Sequence, residues 1–172
     1  MENWPEIDVP DSHPQVLSSW LHIHQAVETV ENAMTGRMEQ GAQTSLIEHQ
    51  ALFRLAIAPG RRLSMLRLAD LLNTSPSGVT RLVDRLVRRG WVSREVPPEN
   101  RRQTDAVLTP DGLHALTATT RPAYHAALEE CFGSLLDEED LADLQRIGRK
   151  LLEGHHRFDA KKFASTPFTH EQ

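Results

Sequence analysis

The chain has 172 residues and a net charge of −5, and this length suits one domain with a sizeable core. The charge is unevenly distributed. Residues 61–102 hold ten arginines and four acids, a net charge of +6, whereas the rest of the chain holds nine cations and twenty acids, a net charge of −11. A basic segment in an acidic chain indicates a local site for a polyanion. On charge alone, a solvated surface of arginine–carboxylate pairs is an equally good interpretation.

The composition also excludes several classes of protein. Cys131 is the only cysteine, which excludes an internal disulfide and a cysteine-rich zinc site and fits a reducing cytoplasm. A buried, inert thiol is its expected role, and a redox sensor is the alternative. No apolar run approaches the roughly 20 residues of a membrane helix, and the acidic first eight residues contain no apolar core of an export signal. Common nucleotide-binding and hydrolase motifs are absent from the sequence, so we expect no catalytic residues and no cofactor.

The first predicted helix spans about residues 14–39, after a polar arm at 1–12. Its apolar residues recur in steps of three and four, close to a heptad seam. They are Val16, Trp20, Ile23, Val27, Val30, Met34 and Met38. A helix of this length measures roughly 38 Å, which is more than a small domain covers. Part of it is therefore expected to pack on another chain.

Two shorter helices follow. Ser45 and Glu48 form the pattern of a capping box, and the helix that they open runs to about residue 57, before a Pro-Gly pair. Ser64 is placed to cap the next helix, which ends near Leu72.

A fourth helix begins at Pro76, with Ser75 as its cap, and ends near Arg89, before Gly90. One face is apolar and is predicted to be buried, since its members recur at helical spacing. These members are Val79, Leu82, Val83, Leu86 and Val87. The opposite face carries Ser77, Thr80, Arg81, Asp84, Arg85 and Arg88.

The period then changes from helix to strand. Residues 91–96 and 104–109 have the composition of two short strands, and the polar loop between them makes them a hairpin. That loop contains two adjacent arginines, Arg101 and Arg102.

The remaining chain is predicted to be helical up to a tail. Thr109-Pro110 opens a long helix, which Pro122 is expected to kink or interrupt. The last helix starts at 137–140, where four acids lie at its positive end, and it runs to about residue 152.

A helix, a turn, a second helix and an arginine-tipped hairpin, in this order, are typical of a reader of DNA grooves. The major groove admits one α-helix, whose first residues need short polar donors and an arginine to reach base edges. The residues of this kind are Ser75, Ser77, Thr80 and Arg81. A narrow minor groove attracts inserted arginine, which is a role for the hairpin loop.

These segments carry a family resemblance: LADLL at 68–72, SPSGVTRLVDRL at 75–86, GWV at 90–92, NRR at 100–102 and VLTPDG at 107–112. They resemble the DNA-binding lobe of the multiple antibiotic resistance regulator (MarR) family. The resemblance implies a mainly α, winged helix-turn-helix fold in the order α1-α2-β1-α3-α4-β2-β3-α5-α6. It also implies a homodimer whose base is formed by the long N- and C-terminal helices.

The resemblance divides the chain into parts and assigns residues to DNA. Residues 13–40 and 110–153 become dimerisation helices, 45–109 the DNA-binding lobe and 154–172 a tail. The predicted contacts to double-stranded DNA are Ser75, Pro76, Ser77, Thr80, Arg81, Arg85, Arg101 and Arg102. Arg85 is expected to hold a phosphate or a carboxylate, and Arg102 matches the arginine that enters the minor groove. Asn100 stands where the family often has Asp, so the loop arginines are expected to be held less rigidly.

Many members of the family lose DNA affinity when a small phenolic or anionic effector binds between the dimer base and the DNA-binding lobes. The resemblance therefore implies a ligand-responsive repressor. The candidates for contact with an effector are Trp20, His24, His49 and Phe53. Trp20 also lies on the apolar seam, so core packing is a competing interpretation for it. The histidines show no spacing of a metal-ligand pair, and no metal site is predicted. Two alternatives stay open: a winged helix that binds only protein, and a metal- or redox-sensing member of the same family.

Overall fold

The computed structural model describes residues 13–97, 100 and 103–158, and this part of the chain is mainly helical with a small antiparallel sheet. The α-helices are α1 (Pro14–Ala42), α2 (Leu46–Ala56), α3 (Met65–Leu71), α4 (Pro76–Arg88), α5 (Pro110–Ala115), α6 (Arg121–Cys131) and α7 (Glu138–Gly154). The strands are β1 (Arg62–Ser64), β2 (Val92–Glu95) and β3 (Asp105–Leu108). The predicted fold class is confirmed. The predicted tail lies largely outside the described residues.

The predicted helix starts are set by side-chain caps. Ser75 accepts a hydrogen bond from the backbone amide of Gly78 at 3.0 Å, and Ser64 accepts one from Arg67 at 3.2 Å. Ser45 and Glu48 form the expected reciprocal capping box. These oxygens satisfy backbone donors that have no partner within the helix, which is why the sequence located the starts so closely.

The sheet places β3 between β1 and β2, with both pairings antiparallel. Val107 is opposite Arg62 in one pairing and opposite Ser93 in the other. We call the hairpin of β2, β3 and the loop between them the wing. Because β1 leads directly into α3, the sheet holds the wing against the helix-turn-helix formed by α3 and α4.

The main core lies between α2, α3, α4 and the sheet. Its fully buried members include Leu52, Leu55, Leu68, Leu82 and Leu86. A smaller cluster joins the second half of α1 to α6. The prediction that Val87 belongs to the buried stripe of α4 is wrong, because its side chain is 39% exposed. It lies at the C-terminal end of the helix, where the buried face turns toward solvent.

The long helix predicted from Pro110 is interrupted as expected, but by a π-helical segment. Residues Leu116–Thr120 are π-helical, and the backbone amide of Arg121 donates to the carbonyl of Leu116, five residues back. Pro122 follows directly. Its missing N–H removes one bond of the regular ladder, and the π-helical segment ends just before this position.

Candidate nucleic-acid interface

The start of α4 exposes the polar residues that the sequence predicted to face DNA. Ser75, Pro76, Ser77, Thr80 and Arg81 are all exposed. The hydroxyl oxygens of Ser75 and Ser77 lie 3.1 Å apart, while the Thr80 hydroxyl donates to the carbonyl of Pro76 at 2.8 Å. The first turn therefore presents ordered hydroxyl groups beside the free amides of a helix N-terminus, a combination that suits phosphates and base edges.

Arg81 and Arg88 differ from the other arginines of α4. Within the described residues, neither forms a hydrogen bond or an ion pair, and both side chains are exposed. Arg81 lies one turn after the hydroxyl groups of the first turn. Its guanidinium is therefore available to an anion outside the chain.

Arg94 ties the wing to α4, a contact that the sequence did not predict. Its guanidinium binds the Asp84 carboxylate at 2.6 Å and donates to the backbone carbonyl of Thr80 at 3.2 Å. The contact joins β2 to the middle of α4. It fixes the wing relative to the helix start. A signal existed in the sequence, since Asp84 is the one acid on the polar face of α4, but the spacing alone did not identify its partner.

Arg85 holds a carboxylate, one of the two roles predicted for it. Its Nε lies 3.2 Å from Glu48 Oε1, and Arg89 approaches Glu48 Oε2 at 3.4 Å. The Arg89 guanidinium also stacks over the ring of Trp91, 4.2 Å from its centroid. The sequence predicts Glu48 only as the capping glutamate of α2. Its second role joins elements that are far apart in sequence, so no local pattern could have indicated it.

The wing tip lies partly outside the described residues. The predicted minor-groove arginines, Arg101 and Arg102, are among the residues that the structure does not describe. At the base of the loop, Asn100 Nδ2 donates to Gln103 Oε1 at 3.4 Å, and Gln103 Nε2 donates to Asp105 Oδ1 at 2.7 Å. Asn100 is thus linked through Gln103 to Asp105 at the start of β3.

The four effector candidates form two separate pairs. Trp20 and His24 stack on each other, 5.5 Å between centroids, on the exposed first half of α1. His49 is buried, and its ring stacks on Tyr124 of α6 at 4.6 Å and approaches Phe53 at 6.5 Å. Tyr124 was missed, because its contact with His49 depends on how α6 packs on α2.

The ring of His49 is held in its neutral form. Its Nδ1 lies 2.9 Å from Thr120 Oγ1 in the π-helical segment. Burial, with smaller contributions from His125 and Arg121, lowers the pKa of His49 from 6.5 to about 4. A neutral imidazole suits a packed aromatic cluster better than contact with an anionic effector.

Two open clefts of about 600 Å³ are lined by other residues. One lies between the end of α1, the start of α2 and the end of α4, and the second lies between α1 and α6. None of the four effector candidates lines either cleft. The described residues contain no group of three potential metal-ligating side chains. Cys131 is half-buried against the cluster that joins α1 and α6. None of the helices in the described part combines the length and apolarity needed to cross a membrane.

A helix-turn-helix of α3 and α4, followed by a two-stranded wing packed beside it, defines the class of winged helix-turn-helix proteins. The sequence model of the MarR family matches residues 42–103, a range that covers α2 to the wing loop. This part of the chain is therefore similar to the MarR family.

Individual relatives extend the similarity beyond this lobe. The transcriptional repressor MprA of Escherichia coli K12 is 28% identical over 140 residues, which cover 81% of this chain and 77% of MprA. Among solved structures, Sco3205, a MarR family transcriptional regulator from Streptomyces coelicolor in complex with DNA, is 27% identical with a TM-score of 0.70, covering 85% of this chain and 93% of that one. A mutant of E. coli MarR, complexed with operator DNA, shares the fold at 20% identity and a TM-score of 0.67, covering 83% of this chain and 99% of that one.

Proposed function

We propose that the chain is a transcription regulator that binds double-stranded DNA sequence-specifically, as a homodimer on a pseudo-palindromic operator. The observation that carries the proposal is the exposed start of α4. It presents ordered hydroxyl groups and Arg81, which has no partner within the described residues, beside a wing, and similar MarR family regulators have been solved in complex with DNA. The outcome of binding is repression, as for the relative MprA.

The DNA contacts have different roles. The hydroxyl groups at the start of α4 and Arg81 read base edges in the major groove, where a good bidentate pair contributes roughly 1–3 kcal/mol of discrimination. Pro76 shapes this first turn. Arg85 uses Nε for Glu48, which leaves its terminal nitrogens for a phosphate. Arg101 and Arg102 reach the minor groove from the wing loop. Phosphate contacts supply most of the affinity and make it depend on salt.

The dimer base comprises residues 13–40 and 110–153. Apolar side chains that the chain does not cover support this assignment. On α1 they include Val16 and Val27, at 68 and 51% exposure, and on α7 they include Leu151 at 52%. Both helices belong to the predicted dimer base, and residues 45–109 form the lobe that each protomer applies to one half-site.

A small aromatic or anionic effector regulates the dimer by changing the separation of the two lobes. A coupling of about 1–3 kcal/mol suffices to vacate an operator. The exposed Trp20–His24 stack is the better placed of the two candidate pairs for such a contact, since His49 and Phe53 are engaged within the chain. The chain acts by binding rather than by catalysis, and it acts in the cytoplasm, where its operator lies.

The test is binding of the purified chain to duplexes selected from a random pool and to the promoter of its own gene, measured by fluorescence anisotropy at several salt concentrations. We expect saturable binding of one dimer per site, with affinity that falls steeply with salt. No preference among duplexes would contradict sequence-specific regulation. Binding to a protein partner without any binding to DNA would favour the protein-interaction alternative, and dependence on metal or oxidant would favour the sensing variant.

A further inference from the structure

Glu48 lies where the end of α1, the start of α2 and the second half of α4 meet. The residue is 7% exposed. Its carboxylate accepts hydrogen bonds from Arg85 at 3.2 Å and Arg89 at 3.4 Å. The Thr44 hydroxyl donates to it at 3.3 Å and the Ser45 backbone amide at 3.2 Å. Donors from both sides of the junction therefore converge on one buried carboxylate. We refer to Glu48, Arg85 and Arg89 as the Glu48 clamp.

Arg89 extends the clamp to two further points. It donates to the backbone carbonyl of Gln43, the left-handed residue that ends α1. Its guanidinium stacks on Trp91, which directly precedes β2. The end of α4 and the start of the wing are thus tied to the end of the helix that we assign to the dimer base.

A buried carboxylate restricts the geometry more than an exposed one does. Charge withdrawn from water is costly unless its partners stay in place, so orientations of α4 in which the arginines leave Glu48 are disfavoured. An exposed pair such as Arg67–Asp70, within α3, imposes no such restriction. The Glu48 clamp connects α2 to α4, whereas the Arg67–Asp70 pair lies within one helix.

We propose that Glu48 is the positioning residue that sets the angle of α4 relative to the end of α1 and the start of α2. Through this angle, Glu48 sets the separation of the two α4 helices in the dimer. The inference rests on the homodimer and the DNA binding proposed above. Half-sites lie at a fixed separation along the duplex. The angle of α4 therefore determines which spacing the dimer accepts, although Glu48 itself touches no DNA.

The first test measures the separation of the α4 helices without DNA. Spin labels at Ser77→Cys, in a Cys131→Ser background, report the distance between protomers by double electron–electron resonance. The unsubstituted clamp is expected to give a narrow distribution near the roughly 34 Å of one helical turn of DNA. Glu48→Gln is expected to broaden or shift this distribution. The matched control is Glu39→Gln, an exposed carboxylate that lines the same cleft without a contact to either arginine.

Melting temperatures measured in parallel show whether each variant folds. If Glu48→Gln does not fold, Arg85→Gln removes one of the two arginine bonds from a partly exposed position and is expected to broaden the distribution to a smaller extent. An unchanged distribution in a folded clamp variant overturns the proposal. If the labelled chain gives no dipolar coupling between spin labels, no dimer is present, and both this proposal and the homodimer are overturned.

The second test uses DNA. Two duplexes carry the same selected half-sites, one at the selected spacing and one with two base pairs inserted. Glu48→Gln is expected to lower the preference for the selected spacing by about tenfold, while its salt dependence equals that of the parent chain. A merely structural role would lower the affinity for both duplexes equally, and that result would overturn the proposal. Loss of spacing preference in the parent chain would instead count against the operator geometry of the proposed function.

Discussion

Arg81 and Arg85 lie one turn apart on α4, yet their surroundings differ. Arg85 is engaged by the buried Glu48, whereas Arg81 has no partner within the described residues. The sequence predicted both as contacts to DNA because both lie on the polar face of one helix. Packing against α2 gives Arg85 its carboxylate partner and leaves Arg81 without one among the described residues.

Arg81→Ala is expected to reduce the sequence preference and to lower the affinity for DNA, because a base-reading arginine contributes roughly 1–3 kcal/mol of discrimination. The measurement is a comparison of binding to the selected duplex and to duplexes with single base-pair changes. Arg88→Ala is the matched control, because it removes the same charge from the C-terminal end of the same helix. Unchanged discrimination in Arg81→Ala would exclude this residue from base readout.

His49 is a residue whose type is compatible with several roles, whereas the structure shows it in a packed core position. The sequence placed it among the candidates for effector contact. In the structure it packs between Phe53 and Tyr124 and bonds to Thr120. Burial also raises the pKa of Tyr124, so both partners in the stack are stabilised in their neutral forms.

The lowered pKa of His49 predicts a specific pH dependence of stability. Between its ordinary pKa of 6.5 and about 4, the unfolded chain binds a proton at His49 that the folded chain excludes. Its contribution to the free energy of unfolding is therefore complete above pH 6.5. As the pH falls to 4, that contribution is lost, by up to about 3 kcal/mol.

Urea denaturation from pH 4 to 7.5 measures this effect. His49→Gln is expected to show a flatter profile in this window than the parent chain, and His114→Gln, at an exposed position, is expected to follow the parent. Parallel profiles for His49→Gln and the parent chain would show that His49 does not titrate as proposed.

At the scale of elements, helix starts were predictable because each depends on neighbouring residues. The caps at Ser45, Ser64, Ser75 and Thr109 all accept the expected backbone amide. The π-helical segment before Pro122 was predicted only as an interruption. Its hydrogen-bond pattern depends on how α5 and α6 both remain packed on α2, which is not a local property.

The start of α5 is pressed against the segment before β2. A Cβ at Gly112 would meet the carbonyl oxygen of Trp91, would lie 2.8 Å from its carbonyl carbon and would lie 2.9 Å from Leu108 Cδ1. Trp91 cannot move away freely, because its carbonyl accepts a hydrogen bond from the Thr109 amide at 3.1 Å. The contact joins the start of α5 to the residue that precedes β2.

Gly112→Ala is therefore expected to lower the free energy of unfolding by about 1–3 kcal/mol, since overpacking displaces backbone. Urea denaturation at constant pH measures the change. Gly148→Ala, in the interior of α7 with nothing within 4 Å of the added Cβ, is the matched control and is expected to stabilise by up to about 1 kcal/mol. Equal effects of the two substitutions would show that the contact at Gly112 yields without cost.

At the scale of the whole molecule, the first half of α1 is not covered by other described parts of the chain. Its second half is covered by α6, with Met34 and Met38 buried against Ala127. Its first half leaves the apolar seam in solvent, with Val27 at 51% exposure. The predicted length of the helix led to this expectation, because a helix of this size, 29 residues in the structure, is longer than a small domain covers.

Val27→Glu is expected to dissociate the dimer, because it places a charge in the centre of the proposed apolar interface. Light scattering after size-exclusion chromatography measures the mass in solution. Gln25→Glu adds the same charge on a different face of α1 and is expected to leave the dimer intact. A Val27→Glu chain that remains dimeric at micromolar concentration would show that this seam is not the interface.

The order of elements, the helix caps, the polar start of α4 and the apolar seam of α1 were determined by the sequence alone. Each of these features depends on residues that are close together in the chain, either through helical periodicity or through a cap three residues from the amide that it accepts. The tertiary structure decided which arginines at the end of α4 find a carboxylate partner within the described residues. Glu48 captures Arg85 and Arg89 from 37 and 41 positions away, and α6 withdraws His49 into a packed cluster. These outcomes depend on how elements that are distant in the sequence pack together, because a buried charge or ring is stable only beside a suitable partner. No local sequence pattern identifies that partner.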